Sequence, residues 1–191
     1  AVLVGRIEAG ACAAAAAITG GDVTAGGARE AALPAFVSAL RAAGAEVETT
    51  DAGLRVRRSG ALRAVDVETA PHPGYPTDLQ AQWMALMTQA EGTSRIVETI
   101  FENRFLHAAE LVRLGANVRV DGRTALVTGP SRLEGATVTA SDLRASAALV
   151  LAALVADGET LVRRIYHLDR GYAAMEEKLS SLGARVARVS G

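Results

Sequence analysis

Apolar residues along this chain recur in two rhythms, one of three to four that marks helices and one of two that marks half-buried strands. Three helical stripes close on the same phrase: Leu40 to Val47, Leu111 to Val118 and Leu179 to Val186 each run into Gly-Ala and then into alternating residues. Upstream of each lies another helical run that also reaches a glycine, at Gly21, Gly92 and Gly158. The paired glycines stand 23, 23 and 25 residues apart, an offset regular enough to mark a threefold internal repeat. Glycine suits both places, because helix ends commonly require a left-handed residue.

Each copy therefore reads as helix, strand, helix, strand and, except in the third, one more strand. In the second copy the spacing predicts an opening strand over Val65–Thr69, a helix over Asp78–Ala90 and a strand over Ser94–Thr99. A helix over Ala108–Leu114 follows, then strands Asn117–Val120 and Thr124–Thr128 around an Asp121-Gly122 hairpin turn. Asp78 and Asp142 stand where helix N-caps belong. The run from Leu143 to Ala156 is apolar nearly all round, so it must be enclosed by protein. Three such helices packed inside sheets give one α/β domain, 1-191, with pseudo-threefold symmetry and repeats at about 1-58, 59-129 and 130-191. The third copy ends without its last strand.

Composition agrees with that picture. Half the 191 residues are apolar, ample for a core, and a formal charge of −1 provides no global field toward nucleic acid or an anionic membrane. The longest uncharged runs fall short of the roughly 20 apolar residues of a membrane span. The chain opens without methionine, a basic stretch or a cleavage pattern, which leaves secretion unsupported. Its one cysteine, Cys12, has no partner for an internal disulfide, so a cytoplasmic location is expected.

Chemistry concentrates in three loops. Ala70 to Gln82 holds three prolines in six residues and delivers Asp78 to a helix mouth, as a plain cap or as a functional carboxylate. Thr99 to His107 runs a strand into a polar cluster, where Arg104 forms either a surface ion pair or a bidentate grip on a carboxylate or phosphate. His167 to Tyr172 occupies the matching loop of the third copy, where Arg170 either neutralises Asp169 or faces an anion. Asp142 and Arg144 form a weaker charged pair. Matching loops of a threefold domain converge on one end, so two arginines and an aspartate would suit a small polyanion and a hydroxyl that must lose a proton. Cys12 sits among alanines and reads as a small buried hydrophobe. The three histidines lack metal-ligand spacing, no phosphate-loop motif is present, and neither a metal nor a cofactor is expected.

Four phrases, Pro76 to Gln82, Glu102 to Phe105, Asp142 to Ala147 and His167 to Tyr172, resemble the successive motifs of the UDP-N-acetylglucosamine 1-carboxyvinyltransferases, enolpyruvyl transferases of peptidoglycan synthesis. Gly5 to Gly10 is similar to a further segment of that family. The resemblance implies an inside-out α/β barrel of three βαβαββ units, the third lacking its last strand. It implies transfer of enolpyruvyl from phosphoenolpyruvate to the 3-hydroxyl of UDP-N-acetylglucosamine, through addition and elimination of phosphate. By the same resemblance Asp78 is the base that holds the sugar hydroxyl, and the Ile100 main chain contacts the sugar nucleotide. Arg170 engages phosphoenolpyruvate and Arg104 is a second cleft arginine, with Asp142 and Arg144 in possible support. The family places substrate between two domains, of which this chain matches the C-terminal one. The chain alone is therefore expected to be inactive, with the missing N-terminal domain, for instance on a second chain, as its partner. Two alternatives stay open: an enolpyruvyl transferase-like domain acting on shikimate 3-phosphate, and a non-catalytic half-domain.

Overall fold

A computed structural model describes residues 5–189. The chain begins with helix α1 (Arg6–Thr19), strand β1 (Asp22–Gly26), helix α2 (Pro34–Ala42) and strands β2 (Glu46–Thr50) and β3 (Gly53–Arg57). Next come β4 (Leu62–Arg63), β5 (Val67–Glu68), α3 (Gln80–Met87), β6 (Ala90–Val97), α4 (Leu106–Arg113), β7 (Asn117–Asp121) and β8 (Thr124–Gly129). The last stretch holds β9 (Thr137–Thr139), α5 (Leu143–Ala153), β10 (Leu161–Arg163) and α6 (Met175–Ser181). This mixed α/β content agrees with the sequence reading.

Helices α1, α3 and α5 pack on one another. Every residue of α3 is buried, and α1 and α5 meet it largely through alanines, whose small side chains let the backbones approach. Around them lie three sheets. The first is antiparallel in the order β1-β3-β2; the second runs β4-β6-β8-β7, with β5 also parallel to β6; the third pairs β9 and β10 in parallel. In the first sheet Leu54 and Val56 face inward, while Arg55 and Arg57 reach across the outer face to Asp22 and Glu46. The alternation is thus satisfied on both sides, apolar inside and charge-paired outside.

Several boundaries differ from those the sequence predicts. The three repeat-ending glycines do take positive φ, 104° at Gly44, 103° at Gly115 and 99° at Gly183. Gly20 rather than Gly21 is the left-handed cap of α1, and Gly92 lies inside β6 instead of ending a helix. The expected 78–90 helix is shorter, because a 3-10 turn at Thr77–Leu79 precedes α3 and β6 begins at Ala90 to pair with β4. The opening strand 65–69 is present in shortened form as β5, and β4 is a separate short strand before it, each set by its own parallel contact with β6. The β7–β8 connection is Gly122-Arg123, since Asp121 already pairs with Thr124. Helix α5 stops at Ala153. Residues 184–189 form no strand; Arg188 there is held by Asp169 and Glu176 on its side chain.

Two local packings set the stage for chemistry. Phe36, Tyr75 and Trp83 stack edge to face with ring centroids 5.8 to 6.2 Å apart, and Tyr75 and Trp83 also donate to the carbonyls of Leu79 and Val65. This fixes the proline-rich loop over the start of α3. On the other side Gly10 of α1 abuts Leu79 so closely that a Cβ would stand 2.5 Å from its Cδ1. Together these contacts hold the 3-10 turn that carries Asp78. No helix among the described residues is long and apolar enough to cross a membrane.

Candidate active site

Asp78 is not a helix cap. It lies in the 3-10 turn, caps nothing with its side chain, and instead accepts a hydrogen bond on Oδ1 from Nε of Arg144 at 2.6 Å, with Nη2 of the same guanidinium also in contact. Arg104 Nη1 lies 3.8 Å from the same oxygen. Among the described residues no hydrogen bond reaches Oδ2. The capping expected at Asp142 is present: its Oδ1 accepts from the backbone N–H groups of Arg144 and Ala145 at 2.8 and 3.0 Å. That cap starts α5 in the register that aims Arg144 at Asp78.

Arg104 follows Asn103, which takes the left-handed conformation (φ 54°) that asparagine tolerates better than most residues. Its guanidinium lies 4.0 Å over the ring of Phe101 and points one nitrogen at Thr77 Oγ1, 3.5 Å away. Burial, followed by the like charge of Arg144, lowers its pKa; Asp78, Glu98 and Asp142 oppose that shift. Asp142 itself is held below the ordinary carboxylate value: burial pushes it up, but the N–H groups of Ala145 and Arg144, the charge of Arg144 and, in acid where it is protonated, that of His107 prevail.

Ile100 and Asp78 line one cleft of about 230 Å³ with Arg6, His72 and Thr77. The Ile100 amide is already donated to Glu98 Oε1 at 2.9 Å, so of its main chain only the carbonyl is left for a ligand. Arg170 ends a 3-10 helix, Ile165–Arg170, that packs against α5. Its side chain is exposed and makes no hydrogen bond or ion pair among the described residues, so the structure leaves it apart from the Asp78 cluster. The Asp169-Arg170 neutralisation is not made, because Asp169 pairs with Arg188. Gly171 nonetheless meets Leu143, one residue before Arg144, at a distance that leaves no room for a Cβ. Tyr172 next to it accepts from Gln82 on α3 at 2.9 Å, and burial pushes its phenol up to about 12.

Sequence reasoning missed Arg6, Thr77 and Glu98. The last was legible in principle: Ser94, Ile96 and Glu98 share the inward parity of β6 and its continuation, and all are buried. His107, fully enclosed at the start of α4, is pushed down to about 4 by burial and is neutral. Cys12 is half-buried, and burial with the charge of Glu8 raises its thiol to about 11 against the opposing Lys178, which pairs with Glu8. So little of it is thiolate at neutral pH that it is a weak nucleophile.

The family model for EPSP synthase (3-phosphoshikimate 1-carboxyvinyltransferase) matches residues 1–179. This chain belongs to that family. Within the EPSP synthase family it is similar to proteins named UDP-N-acetylglucosamine 1-carboxyvinyltransferase, being 59% identical over its whole length to that of Azorhizobium caulinodans and 61% to that of Anaeromyxobacter sp. (strain K). It spans 44% and 45% of those two proteins, just under half the length of the curated relatives it matches. Among solved structures it superposes over its full length on the enolpyruvyl transferase NikO from Streptomyces tendae, with a TM-score of 0.88, 30% identity and 45% of that chain covered. EPSP synthase from Acinetobacter baumannii aligns with 84% of this chain and 39% of its own, at a TM-score of 0.63 and 18% identity, which shows the fold alone. The fold is thus that of the enolpyruvyl transferases.

Proposed function

We propose that this chain is the part of an enolpyruvyl transferase that holds the sugar hydroxyl, in an enzyme moving enolpyruvyl from phosphoenolpyruvate to the 3-hydroxyl of UDP-N-acetylglucosamine. The observation that carries this reading is Asp78. Arg144 and Arg104 address one of its oxygens and hold it in place, while the other makes no hydrogen bond among the described residues and the residue lines the cleft. Asp78 takes the hydroxyl proton as that oxygen bonds to C2 of phosphoenolpyruvate and C3 gains a proton. Loss of phosphate and of a C3 proton from the tetrahedral adduct then restores the double bond. The Ile100 carbonyl contacts the sugar nucleotide. Arg104, stacked on Phe101 with loose contacts to oxygen, and exposed Arg170 supply guanidinium donors to substrate anions. Arg144 orients Asp78, and Asp142 orients Arg144.

The same reading takes residues 1–191 as one domain of three units in an inside-out barrel, supported by three mutually packed helices within three sheets. It takes the rest of the cleft from another domain, in the same chain or a second one, in the cytoplasm. Identity of 59–61% to the sugar-nucleotide enzymes favours that substrate over shikimate 3-phosphate.

The test replaces the matching segment of the Azorhizobium caulinodans protein with this chain. The chimera is expected to release phosphate from phosphoenolpyruvate only with UDP-N-acetylglucosamine, and Asp78→Asn to lower kcat at least about 100-fold, the scale of lost general-base catalysis. Turnover with shikimate 3-phosphate instead, or an Asp78→Asn variant as fast as its parent, would overturn the reading.

A further inference from the structure

Glu98 has no place in the reaction described above, yet among the described residues it is the carboxylate that accepts the most hydrogen bonds. It is 1% exposed. A buried carboxylate is stable only if its lone pairs are filled, and no salt bridge reaches this one among the described residues. Neutral donors fill it instead. Oε1 accepts from Thr69 Oγ1 at 2.9 Å and from the amides of Ile100 and Phe101 at 2.9 and 3.2 Å. Oε2 accepts from Thr77 Oγ1 at 2.8 Å and from Gln80 Nε2 at 3.4 Å.

These donors come from three separate stretches of chain. Thr69 follows β5, Thr77 and Gln80 flank Asp78 at the start of α3, and Ile100 and Phe101 belong to the loop that carries Arg104. Thr69 adds a second tie to that loop, accepting the Thr99 amide at 2.9 Å while its carbonyl accepts the Thr99 hydroxyl. One further detail concerns proton direction. A threonine hydroxyl has a single proton, and Thr77 donates it to Glu98, so it turns a lone pair toward the Arg104 guanidinium 3.5 Å away. By accepting that proton, Glu98 determines what Arg104 meets at Thr77.

We infer that Glu98 is a positioning residue, a buried carboxylate that joins the Thr77–Asp78 turn to the Ile100–Arg104 loop and fixes the Ile100 carbonyl and Arg104 for binding the sugar nucleotide. The identity of the ligand rests on the function proposed above; the joint between the two loops does not.

Glu98→Gln separates the two. The amide keeps one oxygen, which serves the Ile100 and Phe101 N–H groups without charge assistance, and it turns an NH2 group toward Thr77. The Thr77 hydroxyl then accepts from residue 98 and its proton is displaced toward Arg104, donor against donor. In the 191-residue chain, Glu98→Gln is expected to speed amide hydrogen exchange at Ile100 and Phe101 at least fivefold while Ala125 and Val127 in β8 stay unchanged. Unaltered exchange at Ile100 and Phe101 would sink the joint, whatever the enzyme does.

In the chimera, Thr77→Val removes the donor to Glu98 Oε2 and the acceptor facing Arg104 but leaves the Thr69, Ile100 and Phe101 bonds to Oε1, so it tests the idea even if Glu98→Gln folds poorly. Both are expected to raise KM for UDP-N-acetylglucosamine about tenfold, with kcat within threefold of the parent, and Thr77→Ser to restore KM to within twofold. A parental KM in Thr77→Val, or a Thr77→Ser variant as impaired as Thr77→Val, would overturn the positioning role. A parent chimera without turnover would count against the proposed function, and the exchange measurement would still decide the joint.

Discussion

Asp142→Ala should destabilise the chain by an amount that can be worked out from the first turn of α5. The carboxylate accepts from two backbone N–H groups, those of Arg144 and Ala145. Losing a capping side chain costs about 0.5–2 kcal/mol. Ala145 is 1% exposed, so its N–H gains little water in compensation, and stranding a buried donor costs about 1–3 kcal/mol. These costs overlap, because the cap value already contains an unsatisfied donor, and their overlap puts the loss near 2 kcal/mol. For a chain of this size that is a fall in Tm of roughly 4–8 °C.

Asp142→Asn keeps an acceptor at the same place and loses only the charge at the helix N-terminus, about 0.3–1 kcal/mol. The pH dependence has a definite sign. The folded value of Asp142 lies below its ordinary 3.8, so its charge-linked stability is complete above that value and is lost as the pH falls through the depressed one. Thermal or urea unfolding of the three proteins at pH 7, followed down to pH 3, should show Asp142→Ala clearly least stable. The gap between parent and Asp142→Asn should narrow toward the acid end. An Asp142→Asn variant as unstable as Asp142→Ala would show that charge rather than capping geometry holds α5. A gap that widens in acid would refute the linkage.

Two further outcomes follow from the same geometry. Arg170→Ala should leave Tm within about 1 °C, because the side chain is exposed and makes no hydrogen bond or ion pair among the described residues, yet raise KM for phosphoenolpyruvate in the chimera at least tenfold; an unchanged KM removes Arg170 from the site. Cys12, with its thiol raised from 9.0 to about 11, carries roughly 100-fold less thiolate at neutral pH than an unburied cysteine. Its reaction with an aromatic disulfide should be slower by about that factor, and a rate near that of free cysteine would refute the burial argument.

What the sequence made legible is local. The Gly-Ala endings are visible because a left-handed helix terminus selects glycine whatever lies around it, and all three take that conformation. Asp142 announces itself because a cap bonds residues two and three positions away. Asp78 occupies the same kind of position and does something else, since its partner Arg144 is 66 residues distant and no window along the chain contains both. Strands behave the same way. The alternation at Ala184 to Val186 matches that at Ala45 and Ala116, but those two earlier segments each find a neighbour in β3 or β8, and among the described residues the third finds none. Glu98 lies between these cases: the parity of β6 marks it as inward-facing, but only the packed loops show why a charge is tolerated there.

The three acids of this end of the domain are held in three different ways, and the difference explains why the arginines remain useful. Asp142 is satisfied by helix N–H groups and Glu98 by hydroxyls, amides and a side-chain amide, so neither takes up a guanidinium by direct hydrogen bonding. Both still act at a distance, helping to keep Arg104 charged against its own burial and the repulsion of Arg144. Asp78 alone meets the arginines, and it engages Arg144 closely and Arg104 only at 3.8 Å. The charges nearly cancel while the donors do not. Arg104 thus stands beside Asp78 as a part-buried cation stacked on Phe101, with one nitrogen in loose contact with oxygen and the rest of its planar donor face unclaimed among the described residues. On the function proposed above, a cluster of nearly balanced charge with surplus directed donors selects its anion by geometry rather than by field.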